Sequence, residues 1–146
     1  MRCYEFNQPV DNLPETLSHL TFGYEFNQKV NKLPKNITHL IFGYNFRQSI
    51  NNLPESLIYL NLGSTLKNNI MIPKNLKELV IFHKNTLINN LPDNIEKIHI
   101  MFNLKNKNNK YVSNLPLSIK EIIIEKEKYK KFIKIPFNAI LTIKNI

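Results

Sequence analysis

The chain has 146 residues, 42% of them apolar, and a single cysteine, Cys3, which suits one domain with its own core and excludes a disulfide framework or a cysteine-built zinc site. Its formal charge of +9 rests on 18 Lys and 2 Arg and is uneven: residues 1–73 carry six basic and five acidic side chains, residues 74–146 fourteen and six, so an anionic partner would meet the C-terminal half. No apolar run of about 18 residues and no charged-then-apolar leader occurs, so neither a membrane span nor a signal peptide is expected, and an intracellular, cytoplasmic setting is.

Taken in chain order, an aliphatic residue followed by proline recurs at Leu13-Pro14, Leu33-Pro34, Leu53-Pro54, Ile72-Pro73, Leu91-Pro92, Leu115-Pro116 and Ile135-Pro136. The steps are 20, 20, 19, 19, 24 and 20 residues, so seven of the eight prolines share one phase of a repeat. Three, six and eight residues after the first six of these prolines come Leu17/Leu20/Phe22, Ile37/Leu40/Phe42, Leu57/Leu60/Leu62, Leu76/Leu79/Ile81, Ile95/Ile98/Ile100 and Ile119/Ile122/Ile124. The last two members of each triplet alternate as a strand requires, which predicts one short strand per unit. The repeat units are read as 13–32, 33–52, 53–71, 72–90, 91–114 and 115–134, with a partial unit over 1–12 and a cap over 135–146.

Between strands the chain carries further apolar anchors: Phe6/Val10, Phe26/Val30, Phe46/Ile50 and Leu66/Ile70, then Ile88, Val112 and Phe132. Proline and asparagine along this path favour extended or turn-like backbone over helix, because proline fixes φ and lacks a donor. Strands joined by about fifteen residues in one in-out phase stack in parallel most simply, each unit covering its neighbour's apolar face. The expected fold is therefore mainly β, a short solenoid with one parallel strand per repeat and a helix-poor convex side. The Phe6, Phe26 and Phe46 stripe is expected in the core. After Pro136 the alternation shifts by one residue behind a charged run, which predicts a cap with a seventh edge strand.

The pattern LPxxLxxLxF resembles the strand core of leucine-rich repeats, in their shortest and most helix-poor form. More narrowly, LPETLSHLTFGYEFNQKV and LPKNITHLIFGYNFRQSI, with FNQPV at 6–10 and FNQKV at 26–30, resemble the FNIP repeats of slime-mould and giant-virus proteins. The likeness is specific over residues 4–63, and the proline phase carries it onward. It implies a substrate-recognition arm of the kind joined to an F-box that docks on a ubiquitin ligase, and, for a viral member, the host cytoplasm. Because the first residues match the middle of a repeat, no F-box is expected within the chain, and the first unit is expected to expose core groups and a strand edge.

The strand residues turned away from the core are the candidate binding face, on the concave side of such a solenoid. Five residues after each proline stand His19, His39, Tyr59, Glu78, Lys97 and Glu121; seven after stand Thr21, Ile41, Asn61, Val80, His99 and Ile123. Aromatic, charged and apolar side chains in adjacent columns suit protein recognition, with Ile41, Val80 and Ile123 as exposed apolar contacts; solvated strand positions of no function are the plainer reading. His19 and His39 invite zinc and Ser18-His19 a nucleophile, yet the column supplies no third strong ligand and no orienting acid, so neither a metal site nor catalysis is expected, nor any cofactor. Gly23, Gly43 and Gly63 stand nine after a proline rather than clustered before a helix, which fits strand exit or relief of crowding, not a phosphate loop.

A basic patch is the alternative site: Lys105, Lys107 and Lys110 in the insertion NLKNKNNK, with Lys126, Lys128, Lys130 and Lys131. With only two arginines, base-specific readout is disfavoured. The expected function is accordingly a non-catalytic module that binds a protein partner on the strand face. Electrostatic binding of nucleic acid or an acidic partner through the lysines is the second reading, and a truncated repeat protein without independent function the third.

Overall fold

Each proline-phased segment opens with the same hydrogen bond. The computed structural model, which describes residues 5–63, 71–82, 91–102 and 111–144, shows the proline carbonyl accepting the amide three residues on: Leu17 to Pro14 at 3.1 Å, Ile37 to Pro34 at 3.3 Å, Leu57 to Pro54 at 3.2 Å and Leu76 to Pro73 at 3.2 Å. Ile95, Ile119 and Ala139 donate likewise to Pro92, Pro116 and Pro136. Proline supplies a carbonyl and needs no donor, so it can begin a turn whose fourth residue swings inward. That residue is the first member of the apolar triplet.

Strands follow at once: β1 His19–Thr21, β2 His39–Ile41, β3 Tyr59–Asn61, β4 Glu78–Phe82, β5 Lys97–Met101, β6 Glu121–Ile124 and β7 Ile140–Ile143. They form one sheet in the order β1 to β7, every neighbouring pair parallel. This is a parallel β-solenoid with almost no helix. The register is set by the period, since Leu20 pairs with Leu40, Leu40 with Leu60, Leu60 with Leu79, Leu79 with Ile98, Ile98 with Ile122 and Ile122 with Leu141. A slip of one residue would turn this aliphatic column to water.

The core is that column together with the return-path anchors: Val10, Val30, Ile50 and Val112 are buried with Phe26 and Phe46. Phenylalanine rings stack along the solenoid axis, Phe26 on Phe46 at 6.2 Å and Phe22 on Phe42 at 5.6 Å. Phe6 departs from expectation. It stacks on Phe26 at 6.1 Å but stays 43% exposed, because among the described residues no earlier unit covers its other face. Leu66, Ile70 and Ile88 lie outside the described residues.

Backbone amides of the return path are bonded between turns by the asparagines that follow Phe6 and Phe26. Asn7 Oδ1 accepts the Asn27 amide and Asn27 Oδ1 the Arg47 amide, each at 2.9 Å, while Gln28 and Gln48 donate to the Asn7 and Asn27 carbonyls. An irregular segment without strand partners thus still satisfies its polar groups. The turns approach so closely at the strand exits that a Cβ on Gly43 would lie 1.9 Å from the Gly23 carbonyl oxygen, and one on Gly63 2.0 Å from that of Phe42. These glycines relieve crowding, and none has a positive φ.

One element was not foreseen. Residues Glu127–Phe132 of the charged run form a 3-10 helix that buries Tyr129, whose ring stacks on Phe102 at 4.4 Å. The segment over 135–146 does supply the seventh strand, in parallel with β6.

Candidate functional site

Alternation in β1 to β7 puts the core column on one side of the sheet and two aligned columns on the other. Parallel register brings His19, His39, Tyr59, Glu78, Lys97 and Glu121 into one row and continues it to Ile140; Thr21, Ile41, Asn61, Val80, His99 and Ile123 form the second and continue to Thr142. Every residue of the expected strand face therefore lies on one surface.

The first row divides by chemistry. At β1 to β3 its rings are stacked, His19 on His39 at 4.2 Å with planes 9° apart, and His39 on Tyr59 at 5.7 Å. Each imidazole is met by the hydroxyl one residue earlier, Ser18 Oγ to His19 Nδ1 and Thr38 Oγ1 to His39 Nδ1, both at 2.9 Å. The recurrence of this contact in two units marks it as a way of orienting a ring. With Leu20, Thr21 and Ile41 these rings line a hollow of about 270 Å³.

At β4 to β6 the row becomes ionic. Lys97 Nζ lies 3.0 Å from Glu121, which also accepts from Thr142 Oγ1 at 2.8 Å. The Lys97 hydrogen bond holds the Glu121 carboxyl below its ordinary range and the same bond raises Lys97. On the adjoining column Glu96 bridges Lys77 at 3.0 Å and Lys120 at 2.6 Å, and the Lys120 hydrogen bond, first among its causes, lowers the Glu96 carboxyl. These pairs are open to solvent and screened, so they pattern the surface more than they stabilise it.

Two expected contacts need correction. Val80 is only 8% exposed and Ile123 only 4%, so neither is a free apolar contact; Ile41 stays half-buried. Side chains about 4.8 Å apart on neighbouring strands crowd one another. Here Tyr59, Lys97, His99 and Lys144 stand around Val80 and Ile123, lining a second hollow of about 150 Å³. His99 is half-buried within it, with its Nε2 unpartnered among the described residues, and burial followed by the Lys144 charge lowers its pKa. Lys144 and Thr142 were missed in the sequence because the phase shift after Pro136 hides them from the fixed offsets. The Lys77, Glu96 and Lys120 column was missed too, although its constant offset of four after each proline is a signal that would have found it.

Of the basic patch, Lys126, Lys128, Lys130 and Lys131 lie on or beside the 3-10 helix, the last three exposed, with Lys128 and Lys131 set over the rings of Tyr129 and Phe132. Lys105, Lys107 and Lys110 lie outside the described residues. Among the described residues no group of three or more His, Cys, Asp or Glu is placed to hold a metal, and no helix is long and apolar enough to cross a membrane.

A one-strand-per-turn parallel solenoid with an aliphatic column at constant register is a leucine-rich-repeat-like architecture. A solved structure described as that of CroV588, a novel circular LRR protein, from a giant virus, superposes with a TM-score of 0.67 at 33% identity, covering 97% of this chain and 23% of that one. The FNIP Repeat family matches residues 6–32 and 29–65, and with this neighbour the match supports a repeat protein of FNIP-like or leucine-rich-repeat-like kind. No curated protein matches it. Repeat folds of this kind suggest a protein-interaction module.

Proposed function

We propose that the chain is a non-catalytic module that binds a protein partner on the outward face of its parallel sheet. The observation that carries this reading is the continuous two-row surface, in which a stacked His19, His39 and Tyr59 platform beside Ile41 passes into the alternating charges of Glu78, Lys97 and Glu121. Aromatic rings held rigid by stacking contribute contact area at low entropic cost, and a flanking charge pattern sets the register of a partner. FNIP and leucine-rich repeat families are generally scaffolds, which supports the same reading.

The test compares proteins captured in cells by the wild type with those captured by a Tyr59→Ala/Ile41→Asp variant. Both positions face outward, so the variant should fold, and specific partners should be lost. Equal capture would remove the case for this face. If instead the exposed lysines of the 3-10 helix bind nucleic acid, affinity would fall steeply with salt and be indifferent to the double substitution.

A further inference from the structure

Unsatisfied polar atoms gather on one part of the sheet face. Of the three buried side-chain polar atoms without a hydrogen-bond partner among the described residues, two flank Val80 on the outward side: Asn61 Oδ1 on β3 and His99 Nε2 on β5. A buried polar atom left alone costs free energy that a bound group can recover. His99 stands in the hollow of about 150 Å³ whose floor is the buried pair Val80 and Ile123. That is the room of about five waters, enough for one side chain and too little for a helix. The hollow lies on the face of the sheet, lined by residues of β3 to β6 and by Lys144.

Charge is arranged unevenly around it. Glu78 enters from β4, Lys97 stands beside His99 on β5, and Lys144 comes from beyond β7. Lys97 is engaged by Glu121, which is held in turn by Thr142. Lys144 is exposed and forms no ion pair among the described residues, and its charge, after burial, disfavours the imidazolium of His99. An anion set between the two would compensate the ammonium and give the imidazole N–H an acceptor. A cation in the same place would meet Lys97 and Lys144 instead.

We propose that this hollow seats an acidic side chain of the protein partner, its carboxylate accepting from Lys144 Nζ and His99 Nε2 above the apolar floor. The proposal rests on the reading of the outward face as a docking surface and fixes the partner's chemistry at one point of it. Repulsion by Glu78 confines the carboxylate to the Lys144 side. Tyr59, Glu78, Lys97 and Glu121 are the other titratable groups on the strands about His99. Their two acids and the two ammonium groups, Lys97 and Lys144, balance, so the imidazole is the group that takes up a proton when a carboxylate arrives. Bound carboxylate raises the His99 pKa above its value in the free chain, and affinity therefore increases as pH falls from about 8 to about 6.

Titration of the full chain with acetyl-Gly-Glu-Gly-amide, followed by NMR at the His99 ring proton Hε1, tests the seat apart from any partner. A saturable shift with a Kd of about 1–10 mM is expected. The glutamine peptide acetyl-Gly-Gln-Gly-amide should bind at least about threefold more weakly, and the glutamate peptide should lose as much in Lys144→Gln. Lys144 is exposed, so that variant should fold. Lys128→Gln removes an equal charge from the exposed side of the 3-10 helix and should bind as the wild type does. The His99 pKa, read from the same signal, should rise at saturating glutamate peptide. Equal binding of the two peptides, an equal loss in Lys128→Gln, or a His99 pKa unmoved at saturation would each overturn the proposal and leave the docking face standing. Equal capture of partners by Tyr59→Ala/Ile41→Asp would remove the docking face, and the proposal with it, whatever the peptides do.

Discussion

Phe26 and Phe6 are the same residue type in the same phase, yet Phe26 is fully buried between two rings while Phe6 meets one. Truncation of Phe26 to Ala should cost about 3–5 kcal/mol through lost transfer energy and a cavity. Phe6→Ala should cost less than about 2 kcal/mol, since much of its ring is already in water. Urea unfolding of the two variants decides, and equal losses would contradict the burial difference. At Gly43 the obstacle to a larger side chain is space: the Gly23 carbonyl lies 1.9 Å from where a Cβ would stand. Gly43→Ala must therefore spread two turns, and a loss of about 1–3 kcal/mol or more is expected by the same measurement. His99 links stability to pH. Its folded-state pKa lies below the ordinary histidine value, so its contribution is complete above the unfolded value and is lost as pH falls through the folded one. The melting temperature should thus drop between about pH 7 and about pH 5, less so in His99→Gln. The depressed carboxyls of Glu96 and Glu121 act with the same sign in a lower window, below the ordinary carboxylate range.

At the scale of elements, what could be read in advance was whatever the period carries. The proline phase located the first six strands, the seventh following Pro136 with its offsets shifted by one, and constant offsets placed His19 beside His39 and Lys97 beside Glu121, because parallel stacking converts equal spacing into adjacency. What could not be read depends on contacts across units of unlike sequence. The 3-10 helix at Glu127–Phe132 lies in a lysine-rich run whose composition indicates a solvated loop, and it is held by contacts to earlier segments, Tyr129 stacked on Phe102 and Phe132 packed near Phe102 and Tyr111. The burial of Val80 and Ile123 escaped for the same reason, since Tyr59 and Lys144, from strands on either side, help to enclose them. Tyr129 also bears a buried hydroxyl with no partner among the described residues. Tyr129→Phe keeps the stacked ring and removes an uncompensated polar atom, so stability should be unchanged or slightly raised, whereas Tyr129→Ala should cost about 3–5 kcal/mol and release the helix. Thermal melts of the pair separate packing from hydrogen bonding.

For the whole molecule, stability is a chain of nearest-neighbour terms, since each strand is paired only with the strand before and the strand after. In such an array the position of a lesion matters as much as its chemistry, because a break at one end removes one interface while a break in the middle divides the cooperative unit. Leu20 and Leu60 occupy the same column and lose the same atoms on substitution by Ala, yet Leu60 is fully buried between β2 and β4 and Leu20 is partly covered on the terminal strand. Leu60→Ala is expected to cost about 2–5 kcal/mol. Because it separates β1 and β2 from β4 to β7, it should also broaden the urea transition, lowering the m-value as the two parts begin to unfold apart. Leu20→Ala should cost less and leave the slope unchanged, with hydrogen exchange accelerated only in β1 and its turn. If the two substitutions shifted the midpoint equally and with identical slopes, the chain would be unfolding as a single globule, and the additive, turn-by-turn account of its stability would be wrong.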